Sequence, residues 1–176
     1  MDSMFNLEMD YEKQLEIPEN YGQLRLSDLD DGEIYSGKPL ISDIQTVEFE
    51  ELDDAGVVKL DDDGNIITRT IHKIRLVILD EIEETYLDIN INLKSKEPVV
   101  KQIRKGSVLF DFIQSILELE NKGCTEGKNI FRNVNLQQFI DFVGDLKTIG
   151  IKNVERYGRF NFNSFYVVQV NGKKIE

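Results

Sequence analysis

Cationic and aromatic side chains alternate in one short stretch near the end of the chain. Arg156, Tyr157, Arg159 and Phe160 fall within five residues, and Gly158 between them permits a turn. Guanidinium groups bind phosphates, and aromatic rings stack on nucleic-acid bases, each stack contributing about 1–3 kcal/mol. The combination is typical of surfaces that bind single-stranded nucleic acid. The alternative is that Phe160 and Phe162 belong to the core and that the arginines pair with the acidic N-terminal arm of the chain.

A predicted β-hairpin places a second group of polar and cationic side chains together. Residues 85–93 alternate between apolar and polar side chains, and residues 74–79 form another β-rich run. Their apolar faces coincide only if paired residue numbers add to an odd value of about 165, because a slip of one residue turns a strand over. We expect the buried set to be Ile74, Leu76, Ile78, Leu87, Ile89 and Ile91. The opposite face then carries Lys73, Arg75, Tyr86 and Asn90, with Asp88 and Asn92 beside them.

Residues suited to catalysis are few and poorly spaced. His72 is the only histidine and lies in a predicted strand, so a histidine-centred triad has little support. The stretch 123–129 departs from the phosphate-loop pattern in its glycine spacing and in the residue after its lysine. Cys124, the single cysteine, excludes an internal disulfide and has no activating base in the sequence. We therefore predict a protein that is not an enzyme and has no catalytic residues and no cofactor.

An acidic loop, residues 51–65, invites comparison with a calcium-binding loop. Aligning Gly64 with the invariant glycine of an EF-hand places Lys59 at the first ligand position and Thr70 where the bidentate glutamate belongs. Two essential oxygen ligands are therefore missing, and we predict no metal site. The Asp-Gly pair is a common turn signal, so the loop is predicted to be an exposed hairpin tip.

Composition and charge indicate one globular domain with an acidic extension. The chain has 176 residues, 40% of them hydrophobic and 31% charged, as is usual for globular proteins. No apolar run approaches the roughly 20 residues that span a bilayer, and the N-terminus does not resemble a secretory signal, so we expect a cytoplasmic protein. The net charge of −12 is uneven, with −15 in residues 1–66 and +3 in residues 67–176. We predict an acidic arm, residues 1–24, that packs loosely as an extended segment or forms a short edge element, and one domain, residues 25–176.

The strand pattern before the hairpin indicates a bend. Residues 33–50 form one long β-type stretch, and Gly37 and Pro39 interrupt its first half. A bent first strand suits a small barrel, because closure requires that strand to pair with two neighbours. After the hairpin, residues 94–106 form a basic connector.

Two helices are expected after the hairpin. Ser107 is placed to cap the first, which should cover an open end or face of the sheet. Asn135 is placed to cap the second, which is expected to continue to Ile149 and to end at Gly150. Two further strands are predicted over residues 151–156 and 164–170.

The order of bent strand, hairpin, helix and further strands resembles the oligonucleotide/oligosaccharide-binding (OB) fold, in which the helix follows the third strand of a five-stranded barrel. The resemblance covers roughly residues 32–169 and depends on topology, so no functional residue is transferred by motif. It implies the α+β class, with a small antiparallel β-barrel of five or more strands and two helices. The second helix departs from the minimal fold. Single-stranded nucleic-acid-binding proteins of phages are similar, with an acidic tail that is usually C-terminal.

Two functions are compatible with these features. The first is non-catalytic binding of single-stranded nucleic acid through Lys73, Arg75, Tyr86, Asn90, Arg156, Tyr157, Arg159 and Phe160. The second is a protein-interaction component, such as a viral accessory or structural subunit, whose acidic half binds a basic protein partner. A continuous cationic and aromatic groove favours the first function, and scattered cations paired with Asp or Glu favour the second.

Overall fold

The computed structural model describes residues 15–120, 129–171 and 173–174. Its strands are β1 Gly22–Leu24, β2 Ile34–Ile41, β3 Gln45–Glu50, β4 Thr68–Asp80, β5 Thr85–Leu93, β6 Val99–Arg104, β7 Ile130–Asn135, β8 Ile149–Arg156, β9 Phe162–Val170 and β10 Lys173–Lys174. Its helices are α1 Val108–Glu120, between β6 and β7, and α2 Leu136–Gly144, between β7 and β8, together with a 3-10 turn, Leu26–Asp28. The predicted α+β class is confirmed.

The hairpin β4–β5 has the register that the apolar alternation predicts. Ile74 pairs with Ile91 and Leu76 with Ile89, so paired residue numbers add to 165. The predicted core positions are all buried: Ile74, Leu76, Ile78, Leu87, Ile89 and Ile91. A shift of one residue would expose this whole set, which is why the register is so strongly determined.

The bend in β2 lets one strand join two parts of the sheet. Its first half, Ile34–Gly37, pairs with β8, and its second half pairs with the C-terminal part of β4. A Cβ atom on Gly37 would lie 2.0 Å from the carbonyl oxygen of Leu79, so only glycine fits at this crossing. The predicted strand with two neighbours is confirmed here.

The predicted single strand over residues 33–50 is wrong in one respect, because it is divided into β2 and β3. Ser42 lies between them, is buried, and accepts the Arg75 N–H through its hydroxyl at 2.8 Å. The Ser42 hydroxyl oxygen therefore accepts a backbone N–H that a main-chain carbonyl would accept in a continuous strand, and the strand is interrupted. Beyond the break, β3 pairs with the N-terminal half of β4.

The main sheet has the order β1-β5-β4-β2-β8-β9-β10, with β3 also paired to β4. It is open: within the described residues β5 and β9 do not pair, so no closed barrel forms. Helix α1 and the 3-10 turn pack between β5 and β9 instead. Phe112 of α1 is fully buried, and its ring lies 5.7 Å from that of Phe165 on β9. The predicted position of this helix, over an open side of the sheet, is confirmed.

Both predicted helix starts are confirmed, but the predicted end of the second helix is wrong. The Ser107 hydroxyl accepts the N–H of Phe110, and the Asn135 side chain accepts the N–H of Gln137. Helix α2 stops at Gly144, and Ile149 and Gly150 belong to β8. Pairing of these two residues with Gly37 and Ser36 of β2 outweighs the helical spacing of Ile149.

A two-stranded sheet of β6 and β7 lies within regions for which no strand was predicted. On β6 the buried residues are Val100 and Ile103, three positions apart, so the strand lacks the alternation that marks a half-buried strand. The pairing partner, β7, is separated from it in sequence by α1.

The last residues of the predicted acidic arm belong to the main sheet. Strand β1 pairs in parallel with β5, and Leu24 packs against the core. Residues 1–14 lie outside the described residues, as does Cys124 with the rest of the stretch 123–128. No helix in the described part of the chain is long and apolar enough to span a membrane.

Candidate nucleic-acid interface

On the hairpin face, Arg75 is committed to a partner within the sheet. Its Nε donates to Oδ1 of Asp88 and its Nη2 donates to Oδ2, both at 2.9 Å. Gln23 of β1 donates to the same carboxylate at 3.0 Å. The hydrogen bonds that Arg75 donates to Asp88 raise the pKa of Arg75 above its ordinary value, although partial burial opposes this. A guanidinium held in a two-point ion pair has little capacity left for a phosphate.

The other predicted residues of this face have more open positions. Lys73 is half-buried and pairs across the hairpin with Asn92, which is exposed, and Asn90 is exposed as well. Tyr86 is half-buried. Val77 and Leu79 point to the same side and are buried, so the face is not open along its whole length.

At the start of the β8–β9 turn, Arg156 is also held internally. Its Nη2 lies 3.2 Å from both carboxylate oxygens of Asp111 on α1, and the same nitrogen contacts the Tyr166 hydroxyl. Asp111 is buried and also accepts the Ser164 hydroxyl at 2.6 Å. Burial lowers the pKa of Arg156, but Asp111 and Tyr166 outweigh burial, and the pKa is raised.

Beyond Arg156, the turn presents open rings. Tyr157 is 74% exposed and Phe160 is 77% exposed, so neither belongs to the core. The Arg159 guanidinium lies 5.9 Å from the centre of the Phe160 ring, within cation–π range. The Tyr157 hydroxyl donates to Glu155 at 2.5 Å, and this hydrogen bond raises the pKa of Tyr157. Exposed rings beside a cation are the arrangement expected for base stacking.

A basic groove of about 980 Å³ lies beside the hairpin face. Its charged lining residues are Lys94, Lys101, Arg104, Lys105 and Arg132, with one carboxylate, Glu97. In the described part of the chain, none of these five cations forms an ion pair. A cluster of unpaired cations is unusual in a chain with a net charge of −12.

The cations of the basic groove come from three neighbouring elements. Lys94 follows the last residue of β5, Lys101 and Arg104 lie on β6, and Arg132 of β7 pairs with Gln102. Val100 and Ile103 of β6 are buried, whereas Lys101 and Arg104 on the same strand are exposed.

None of the predicted site residues lines the basic groove, but two of its lining residues are connected to them. Asn92, which pairs with Lys73, lines one side of it. Ser107, the cap of α1, lines another, and Asp111, which holds Arg156, follows one helical turn later, about 6 Å along the axis. The ion pairs of Arg75 and Arg156 are separate, since the first joins β4 to β5 and the second joins β8 to α1.

The basic connector, residues 94–106, supplies four of the five cations of the groove, but the sequence pattern does not place it among the predicted site residues. The density of Lys and Arg in residues 94–105 was a usable signal, whereas Arg132 is distant in sequence and gave none. The groove exists because β6 and β7 pair, and that pairing was not predicted.

The loop predicted to be an exposed tip forms, together with β3, an acidic lobe, residues 45–67. It contains eight acidic residues and one lysine. Asp53 accepts the N–H groups of Ala55 and Val57, and Asp61 accepts those of Asp63 and Asn65, all at 2.9 Å. Among the described residues, no group of three or more His, Cys, Asp or Glu side chains is placed to hold a metal ion.

Comparison with known proteins finds no matching family model, no similar curated protein and no similar solved structure.

Proposed function

We propose that the chain binds single-stranded nucleic acid without catalysing a reaction, and that the basic groove follows the phosphate backbone. The observation that carries the proposal is a cluster of five cations in an open groove of an acidic protein, none of which has an ion-pair partner among the described residues. Nonspecific single-strand binding needs such a cationic groove, with aromatic rings nearby for stacking. Tyr157 and Phe160 supply exposed rings, and Lys73, Asn90 and Arg159 extend the polar surface.

We also propose that the sheet is an open relative of the OB arrangement. In support, β2, β4 and β5 precede α1, and β8 and β9 follow it, so the helix comes after the third of five strands. OB-type barrels are often partly open and bind oligonucleotides on their second and third strands and adjoining loops. Those positions correspond to β4, β5 and the β8–β9 turn. The second helix, α2, remains a departure from that arrangement.

Fluorescence anisotropy with a single-stranded oligonucleotide, titrated from about 50 to 200 mM salt, tests the function. Each phosphate contact contributes about −0.7 to the slope of log affinity against log salt. Lys101→Ala and Arg104→Ala should each reduce that slope, whereas Tyr157→Ala should weaken binding by about 1–3 kcal/mol with nearly the same slope.

The matched control is Lys147→Ala, an exposed lysine outside the basic groove and at the other end of β8 from Tyr157. It should leave both affinity and slope unchanged. No binding at about 50 mM salt with tens of micromolar protein would overturn the proposal, because nonspecific complexes form in that range. Equal effects of all four variants would also contradict it.

A second candidate function is binding of a basic protein partner through the acidic half of the chain. The acidic lobe favours it, because eight carboxylates lie beside exposed apolar side chains. The two internal ion pairs of Arg75 and Arg156 also fit this reading. Under this function, substitutions in the lobe should abolish binding to a basic protein while groove substitutions have no effect.

A further inference from the structure

The acidic lobe presents apolar side chains that the described chain leaves open. Six of them are between 37% and 60% exposed: Val47, Phe49, Leu52, Val57, Leu60 and Ile66. Single exposed apolar residues are ordinary, but a cluster of them on one short segment marks an interaction surface.

The lobe holds its shape without covering these residues. The Asp53 and Asp61 carboxylates each close a turn. An isolated β-bridge pairs the residues on the two sides of each turn, Leu52 with Val58 and Leu60 with Ile66. Gly56 and Gly64 occupy the left-handed region, with φ of 81° and 84°. A surface that is already ordered loses little conformational entropy when a partner binds it.

The charge of the lobe determines what kind of partner fits. Its eight acidic residues and one lysine require a surface that is cationic, and its exposed side chains require apolar contacts among those cations. The basic groove has both properties. Among its five cations the exposed side chain of Val99 supplies the apolar contact, while Val100, Ile103 and Leu109 are buried beneath it.

These complementary surfaces do not satisfy each other within one molecule. The lobe's ion pair in the described residues is internal, between Lys59 and Glu51, and the basic groove is open. Two different surfaces that match on the same chain make a heterologous contact between copies.

We propose that the acidic lobe of one molecule docks into the basic groove of a second copy of this chain. The contact is head-to-tail, so each molecule offers one lobe and one groove, and assembly grows with concentration. Attraction between exposed charges is screened by salt, so the assembly dissociates as ionic strength rises. Small polar contacts of this kind are weak, and association is expected between about 1 µM and about 1 mM.

Sedimentation velocity of the nuclease-treated full chain tests this proposal at about 50 mM and about 500 mM salt, where the screening length falls severalfold. Nucleic acid is left out, so the result does not depend on the proposed function. The wild-type chain should show a weight-average mass that rises with concentration at low salt and returns to that of the monomer at high salt.

Two double variants, each with two charged residues changed to the opposite sign, locate the contact. The lobe variant carries Asp54→Lys and Asp62→Lys, which spare the turn-closing carboxylates of Asp53 and Asp61. The groove variant carries Lys101→Glu and Arg104→Glu. Each variant alone should associate more weakly than the wild-type chain, because the net charge of the lobe falls from −7 to −3 in the first and that of the groove falls from +4 to 0 in the second. An equimolar mixture should form a heterodimer, because the unchanged groove of the lobe variant can bind the unchanged lobe of the groove variant.

The β4–β5 turn, which is exposed and carries glutamates, provides a matched control. Glu81→Lys with Glu83→Lys makes the same charge change in the exposed β4–β5 turn and should leave association unchanged. A wild-type chain that stays monomeric over the whole concentration range overturns the proposal. So does association that only the lobe variant weakens, or two variants that fail to associate when mixed although both show the wild-type unfolding transition.

Discussion

Arg75 and Arg156 show how carboxylate neighbours decide which cations are available for binding. Each guanidinium is paired with a largely buried carboxylate, Asp88 in one case and Asp111 in the other. Lys101 and Arg104 have no such partner among the described residues. The sequence places both kinds of cation near aromatic or polar residues, but only the three-dimensional pairing separates structural cations from free ones.

The structural role of the Arg75–Asp88 pair leads to a stability prediction. Asp88→Ala should lower the free energy of unfolding by about 1–3 kcal/mol, because the guanidinium loses two charged hydrogen bonds. Asn90→Ala is the control on the same face of β5, since Asn90 is exposed and its loss should cost less than about 0.5 kcal/mol. Urea unfolding measures both. Equal costs for the two variants would show that the pair contributes nothing to folding.

Tyr166 makes the stability of the chain sensitive to alkaline pH. Burial, and then the charge of Asp111, raises the pKa of Tyr166 above 10.0, while Arg156 opposes this. The folded chain therefore keeps the phenol proton when the unfolded chain has released it, and stability falls as pH rises from about 10 towards the raised pKa. Tyr166→Phe should reduce the loss of stability between about pH 8 and about pH 10.5. Comparison of the urea midpoints at the two pH values measures this, and an unchanged loss would contradict it.

At the level of elements, the bend in β2 joins the two halves of the sheet. Gly37 stands where β2 changes partner from β8 to β4, and the Leu79 carbonyl occupies the space that a side chain would need. A backbone oxygen cannot rotate away as a side chain can, so a substitution at Gly37 must move one strand away from the other.

Gly37→Ala should therefore lower the free energy of unfolding by about 3 kcal/mol or more, at the upper end of overpacking costs. Gly158→Ala is the control, because a Cβ atom there meets nothing within 4 Å. That change should be neutral or stabilise by up to about 1 kcal/mol, through the unfolded state. Thermal and urea unfolding report both. A Gly37→Ala chain as stable as its control would show that the crossing of β2 and β4 can relax.

The elements that the sequence predicts well are those whose burial has a clear period. Alternation fixes the β4–β5 register, and the caps Ser107 and Asn135 locate both helix starts. Strands β6 and β7 escape prediction because their burial does not alternate and because they pair across α1. The end of α2 is mispredicted because pairing of Ile149 with β2 depends on contacts that local spacing does not contain.

In the candidate site, too, the features that depend on local sequence are predicted and those that depend on tertiary contacts are not. The exposed rings of Tyr157 and Phe160 were predicted from a short local pattern, and they are open in the structure. The basic groove combines Lys94, Arg104 and Arg132 from separate elements, so it depends on tertiary structure. Local composition could indicate a basic region but could not indicate a groove.

At the scale of the whole molecule, the acidic lobe and the basic groove are separate surfaces of opposite charge. The acidic lobe carries eight acidic residues and one lysine, while the basic groove has five cations and one carboxylate in its lining. A net charge of −12 therefore conceals a cationic surface, and screening by salt acts on the attraction between the two. Nucleic-acid binding and docking of a second copy would use the same groove, so each should weaken the other.

The acidic arm gives the last prediction, because its end is part of the sheet. Gly22 donates its N–H to the Glu84 carbonyl at 2.9 Å, Gln23 donates to Asp88, and Leu24 packs on the core. Deleting residues 1–24 should therefore lower the free energy of unfolding by about 1–3 kcal/mol more than deleting residues 1–14, since hydrogen bonds and apolar burial are lost and the edge of β5 is uncovered.

Urea unfolding of the two truncated chains beside the full chain measures the difference. Full-length Leu24→Ala serves as a control that removes the apolar contact while keeping the β1 backbone. Deletion of residues 1–14, which removes four acidic residues and one lysine, should also strengthen oligonucleotide binding at low salt if the arm competes with phosphates for the basic groove. Equal stability of the two truncated chains would show that β1 adds nothing to the sheet, and the whole stretch 1–24 would then be a dispensable arm.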